Sequence, residues 1–188
     1  MAIRYKKCFT CGSLDVAKII YGYPTVEAFK EQEEGKIKLG GCLISEDSPQ
    51  YHCNKCGEKW TADEAIDAAY KEVIGLKASV GGYFEGYYDV MISFQDKKLT
   101  WNYSLDGESF EKELIDEEIS TFISGLKIAN LLNWKRRYEE PDILDGTQWE
   151  VEIIREKRNL NRSGSNKFPD EWECFCVLIQ TISDCKFE

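Results

Sequence analysis

The chain alternates apolar and polar residues in several short runs and repeats at helical spacing in a few others. Gly86-Tyr-Tyr-Asp-Val-Met-Ile-Ser-Phe94 alternates and is rich in strand formers, and Leu99-Thr-Trp-Asn-Tyr103 follows after the turn Gln95–Lys98. Asp106-Gly107 signals another turn, with a third strand expected over Ser109 to Leu114. Thr147-Gln-Trp-Glu-Val-Glu-Ile-Ile154 alternates most cleanly. Trp149, Val151 and Ile153 share one face, and Gln148, Glu150 and Glu152 the other. The chain then returns through about Arg162, and Ser163 to Asn166 reads as a loop, as does Pro141 to Gly146.

Helical spacing appears at Ile119, Phe122, Ile123 and Leu126, behind an expected N-cap at Asp116 with Glu117 and Glu118 in the first turn. Gly125 is either tolerated inside that helix or breaks it. Leu131 to Trp134 continues the apolar surface. Pro169 marks the start of a last helix over Trp172 to Ile182. Strands, helix, strands and helix in this order predict an antiparallel sheet with two helices on one face, an α+β arrangement.

The first third reads differently. Ile3 to Tyr5 is a short strand candidate, Val16 to Tyr21 a second and Lys36 to Leu39 a third. Thr25 offers an N-cap to a helix over Val26 to Glu34, which Gly35 ends. Gln50-Tyr51-His52 leads on to Trp60. Thr61-Ala-Asp-Glu64 is a capping-box pattern opening a helix through about Ile74. The expected organisation is residues 1–60 as one module, 61–78 as a connector helix and 79–188 as an α+β domain.

The strongest chemistry lies in that first module. Cys8-Phe-Thr-Cys11 and Cys53-Asn-Lys-Cys56 are each followed at once by glycine, Gly12 and Gly57. Four thiolates delivered by two tight Cys-x-x-Cys-Gly turns match what a closed tetrahedral zinc site needs, so Cys8, Cys11, Cys53 and Cys56 are the expected ligands of one structural ion. Trp60 is expected to pack over this module. A redox pair or an iron–sulfur cluster is the alternative, but a redox pair normally comes singly and near a βαβ pattern.

Cys-x-x-Cys-Gly-Ser (8–13), Tyr-Gly-Tyr-Pro (21–24), Gly-Lys-Ile-Lys-Leu-Gly-Gly-Cys (35–42) and Cys-x-x-Cys-Gly-x-x-Trp (53–60) together resemble a zinc-ribbon module of small uncharacterised bacterial proteins. The resemblance covers about the first third of the chain. It supports the four-cysteine assignment, implies no activity, and leaves the role of Cys42 open.

The other candidates are weaker. Cys42 follows two glycines and is either a reactive thiol, an extra ligand or a small apolar group. His52, the only histidine, pairs with Cys42 as a nucleophile–base couple only if the fold joins them. Cys174 and Cys176 lie two apart on a helix and so point about 200° apart, which suits packing rather than a shared metal. Cys185 reads likewise as an incidental thiol. Lys135-Arg-Arg137 and the series Arg155, Lys157, Arg158, Arg162 and Lys167 are basic islands, suited to an anion or a nucleic-acid backbone, or else to a solvated hairpin and a helix C-terminus. Acidic residues are abundant, but no spacing singles out a general acid and base, and no phosphate-binding glycine fingerprint is present.

Charge sharpens the functional ranking. The formal net charge is −10. Residues 1–78 hold 11 Lys+Arg against 12 Asp+Glu, and residues 79–188 hold 13 against 22. A field of that sign repels phosphate backbones at long range. The first expectation is therefore a zinc-binding protein-interaction module whose acidic domain meets a basic partner, comparable in charge and architecture to the immunity proteins with which bacteria mask toxins. A nucleic-acid-binding zinc ribbon ranks second, and an enzyme third. No run approaches the ~20 apolar residues of a membrane span. The opening Met-Ala-Ile-Arg-Tyr-Lys-Lys-Cys lacks the apolar centre of a signal peptide, so a cytoplasmic location is expected.

Overall fold

A computed structural model describes residues 3–140 and 146–188. Two sheets and four helices form an α+β fold, divided into two compact units, Ile3–Ala69 and Tyr70–Glu188. None of the described helices is long and apolar enough to cross a membrane.

In the first unit the strands are β1 (Val16–Ile20), β2 (Ile37–Leu39), β3 (Tyr51–Cys53) and β4 (Lys59–Trp60), in the order β2-β1-β3-β4. Helix α1 (Val26–Glu33) starts where expected, its Ala28 N–H donating to the Thr25 hydroxyl. Helix α2 (Ala62–Lys71) opens with the expected reciprocal cap: Thr61 N–H donates to the Glu64 carboxylate at 2.8 Å, and Glu64 N–H to the Thr61 hydroxyl at 3.1 Å. Ile3 to Tyr5 forms no strand. Its chain turns instead, Lys7 N–H donating to the Arg4 carbonyl.

Helix α2 ends at Lys71, short of the expected Ile74, because β5 (Val73–Gly82) begins at once. The rest of the second unit comprises β6 (Gly86–Ser93), β7 (Lys98–Tyr103), β8 (Ser109–Glu113), α3 (Asp116–Ile128), a 3-10 turn (Leu131–Asn133), β9 (Arg137–Glu139), β10 (Gln148–Arg155), β11 (Leu160–Ser165) and α4 (Trp172–Ser183). The sheet runs β8-β7-β6-β5-β10-β11-β9 and is antiparallel apart from the parallel edge pair β11–β9. Strand β5, unforeseen in the pattern, is its centre.

Register explains the layering. Ile153, Leu76, Ile92 and Leu99 lie side by side across four strands, and Val151, Ala78, Val90 and Trp101 form the next row; all are buried. Helices α3 and α4 belong to this buried side, with Phe122, Leu126, Phe175 and Ile179 in the core. At Gly125 an added Cβ would run into the Leu178 side chain, so the glycine sits inside α3 and lets α4 approach closely. A second cluster joins Trp134, Trp149, Trp172 and Phe175, with the Trp149 and Trp172 centroids 4.7 Å apart.

Two further local expectations are corrected. Asp116 is the first residue of α3 rather than its cap. Ile115 takes the cap position with no side-chain acceptor of its own; its N–H donates to the Glu118 carboxylate at 3.0 Å, while the Asp116 carboxylate accepts from Lys97 at 2.8 Å. Ser163 to Ser165 is strand, not loop, because β9 and β10 pair with it on both sides. Of the expected loop Pro141 to Gly146, residues 141–145 lie outside the described residues.

Candidate metal centre

The two cysteine hooks have the same backbone. Gly12 N–H donates to the Cys8 carbonyl and Cys8 N–H to the Ser13 carbonyl, both at 2.9 Å. In the second hook Gly57 N–H donates to the Cys53 carbonyl at 2.9 Å and Cys53 N–H to the Glu58 carbonyl at 2.8 Å. Closing each turn this way requires φ of +73° at Gly12 and +81° at Gly57, a region that a side chain disfavours. This is why glycine follows each hook.

Strand pairing then brings the hooks together. Val16, just after the first, lies opposite Cys53 in the antiparallel pair β1–β3. Asn54 fastens the join, its N–H donating to the Asp15 carbonyl at 3.0 Å and its side-chain amide to the Asp15 carboxylate at 2.8 Å. The Asp15–Asn54 tie was not apparent beforehand, since only the fold makes the two residues neighbours.

Cys8 Sγ lies 3.6 Å from Cys56 Sγ, Cys11 Sγ lies 3.5 Å from Cys53 Sγ, and all four sulfurs fall within 4.8 Å of one another. Four sulfurs placed tetrahedrally about 2.3 Å from a metal would be separated by about 3.8 Å. The donor set and its spacing therefore fit one metal ion. Cys8 and Cys53 are fully buried, and they pack with Trp60 and Ala65 in a small core that Tyr5, Val16 and Tyr51 flank.

Electrostatics points the same way. Burial pushes the Cys53 thiol up, but the N–H groups of Cys56 and Lys55 and the neighbouring thiols of Cys11 and Cys56 outweigh it and bring it down to about 7. At Cys56 the Glu58 N–H favours the thiolate, yet burial and the sulfurs of Cys11, Cys53 and Cys8 raise it to about 12. Without a cation the cluster resists full ionisation, because like charges at this distance oppose one another. A divalent ion removes that opposition.

Among the described residues the cluster contains these four cysteines and not Cys42, which is exposed. His52 lies in β3 opposite Ala17 and Lys59, and no hydrogen bond joins it to Cys42. Cys174 is exposed while Cys176 is buried, with burial pushing its thiol up, as two residues on opposite sides of α4 should be. Cys185 is half-buried, and burial raises it too.

The basic islands adjoin along the β11–β9 edge, where Arg137 lies opposite Ser163. Arg137 pairs with Glu139 at 3.1 Å, Arg155 approaches Glu72 at 3.8 Å, and Arg162 is buried. The burial of Arg162 had one signal in the sequence: it stands two residues from Leu160 and from Gly164, in phase with the inner face of its strand.

No protein-family profile and no curated protein matches the chain. The likeness of the first third to a zinc ribbon accordingly stands on the four-cysteine geometry.

Proposed function

We propose that Cys8, Cys11, Cys53 and Cys56 hold one zinc ion as a closed, structural tetrathiolate, and that the acidic second unit is a protein-interaction module for a basic partner. The sulfur geometry carries the first part: four thiol donors at near-tetrahedral spacing suit zinc, and with all four positions taken by protein there is no open site for chemistry. The ion cross-links a unit too small to bury much surface of its own, with about 10–16 kcal/mol of apparent binding energy available to such sites near neutral pH. Native mass spectrometry of protein purified without added metal tests it. One zinc per chain is expected, and an iron cluster or no metal would overturn the assignment.

Support for the second part comes from the sheet face opposite the helices. There Glu150, Ser79 and Asp89 lie side by side across three strands, next to the row Glu152, Lys77 and Met91. A shallow depression of about 310 Å³ crosses these rows. Its one lysine, Lys77, is already 3.5 Å from Glu152, so its unpaired charge is negative and complements a basic surface. The role resembles that of an immunity protein masking a basic toxin. Affinity capture with wild-type protein and with an Asp89→Lys, Glu150→Lys variant tests it. A partner retained by the wild type and released by the variant is expected; equal retention would defeat this face as the docking surface. Binding to nucleic acid is disfavoured by the same carboxylates.

A further inference from the structure

The sheet of the first unit has two unlike faces. Val16 lies opposite Cys53 and Tyr51 opposite Trp60, and these four belong to the small core around the sulfurs. Alternation along each strand turns the intervening residues the other way. On that second face Lys38 lies opposite Ile19, Ala17 opposite His52, and His52 opposite Lys59. Ala17 and Ile19 stand two apart on β1 and so join these pairs into one surface. It carries two lysines and the only histidine of the chain.

A cavity of about 300 Å³ opens on this face, and Lys38, His52, Lys59, Ile19, Tyr21 and Pro49 line it. No carboxylate lines it, although the chain carries a net charge of −10. Neither lysine forms an ion pair or a side-chain hydrogen bond among the described residues. Nδ1 of His52 is enclosed without a partner. An enclosed N–H lacking an acceptor is costly, so the ring proton belongs on Nε2, which becomes the donor. One wall is fixed: the Tyr21 hydroxyl donates to the Pro49 carbonyl at 2.8 Å, and a Cβ at Gly40 would run into the Tyr21 ring and Ile19. Lys38 and Lys59 rise from the two edge strands, three strand spacings or about 14 Å apart. Ile19 and Tyr21 come from β1 and its continuation, inside that span.

We propose that this cavity binds a small molecule with an anionic group, phosphate or carboxylate, at each end of a short body. Lys59 and the His52 Nε2–H hold one end, Lys38 holds the other, and Ile19 and the Tyr21 ring receive the body. A lysine ammonium attracts either oxyanion as a point charge. The separation of the two lysines is what selects a two-ended ligand over a single anion. A few polar groups around an apolar floor are the usual make-up of a small-molecule pocket. The site uses none of the four cysteines and lies on the other face from them.

Because His52 is the only histidine, its ring gives a single set of resonances to follow by NMR. Adipate and hexanoate are titrated into the full-length protein at fixed pH and ionic strength, as are fructose 1,6-bisphosphate and fructose 6-phosphate. A saturable shift of the His52 signals is expected. The two-ended anion should bind about tenfold more tightly than its one-ended counterpart, the worth of one charge-assisted hydrogen bond. Whichever two-ended anion binds more tightly identifies the end groups as carboxylate or phosphate. Lys38→Gln should abolish the two-ended advantage, and Lys59→Gln should weaken both members of a pair. Neither lysine is buried, so each variant should keep the wild-type melting temperature without ligand. Equal affinity for one-ended and two-ended anions, an advantage that survives in Lys38→Gln, a shift that sodium chloride alone reproduces, or tighter binding of a single-stranded oligonucleotide would each overturn the proposal.

Discussion

Trp60 Nε1 donates to the Tyr5 carbonyl at 3.0 Å, fastening the strand that leaves the second cysteine hook to the segment that enters the first. The indole is fully buried, stacks on Tyr51 with centroids 5.9 Å apart and meets Phe9 edge-on at 5.7 Å. One side chain thus fills the core under the sulfurs and satisfies its own polar atom. Trp60→Ala should cost about 3–5 kcal/mol, a cavity plus an orphaned carbonyl. Trp60→Phe keeps much of the ring but loses the hydrogen bond and should fall between. Chemical denaturation of the zinc-loaded variants, followed by far-ultraviolet circular dichroism, measures both.

Removing a sulfur should be more severe. Cys53 is buried and central to the cluster, so Cys53→Ser is expected to abolish stoichiometric zinc and expose residues 3–69 to limited proteolysis. Cys42→Ser should retain one zinc and the wild-type digestion pattern, since Cys42 is exposed and outside the cluster. A protected first unit in Cys53→Ser would falsify the structural role.

Gly164 lies opposite Trp149 in the β10–β11 pair, and a Cβ there would collide with the Trp149 indole nitrogen and with the Lys167 carbonyl that this nitrogen donates to. Gly164→Ala therefore forces the tryptophan cluster to shift and should destabilise the second unit by about 1–3 kcal/mol. Tryptophan fluorescence during urea unfolding checks it. An unchanged midpoint would contradict the packing described for Trp149.

Glu118 gives a pH dependence with a definite sign. The Ile115 N–H, then Lys112, hold its carboxyl below the ordinary value of 4.5. A carboxyl depressed on folding stabilises the protein above the unfolded value, and that contribution disappears as the pH falls through the depressed folded value. Glu118→Gln should thus be less stable than wild type at neutral pH. The two unfolding midpoints should converge in acid. A gap that persists in strong acid would exclude the carboxylate as its source.

The sequence by itself determined the features that depend on near neighbours in the chain. The Thr25 and Thr61 caps are such features, because a hydroxyl needs only an N–H three residues away. The glycines that close the hooks are legible for the same reason, as is the alternation of β10 between buried Trp149, Val151 and Ile153 and their polar neighbours.

The tertiary structure alone decided the rest. Strand β5 was hidden because Gly75, Gly81 and Gly82 depress its strand propensity, yet pairing on both edges makes it central. At Gly75 a Cβ would stand 2.6 Å from the Ile92 carbonyl oxygen, so the missing side chain is what close strand approach requires. The short edge strand β9 exists only because β11 offers it a partner. The Cys8–Cys56 and Cys11–Cys53 proximities span 48 and 42 residues, and only the β1–β3 register brings their atoms together. Arg162 shows the same limit most clearly. Its charge suggested a solvated hairpin, and long-range register placed it in a core row without a carboxylate ion pair among the described residues. Propensity and capping act over a few residues, whereas register and burial are settled by partners far along the chain.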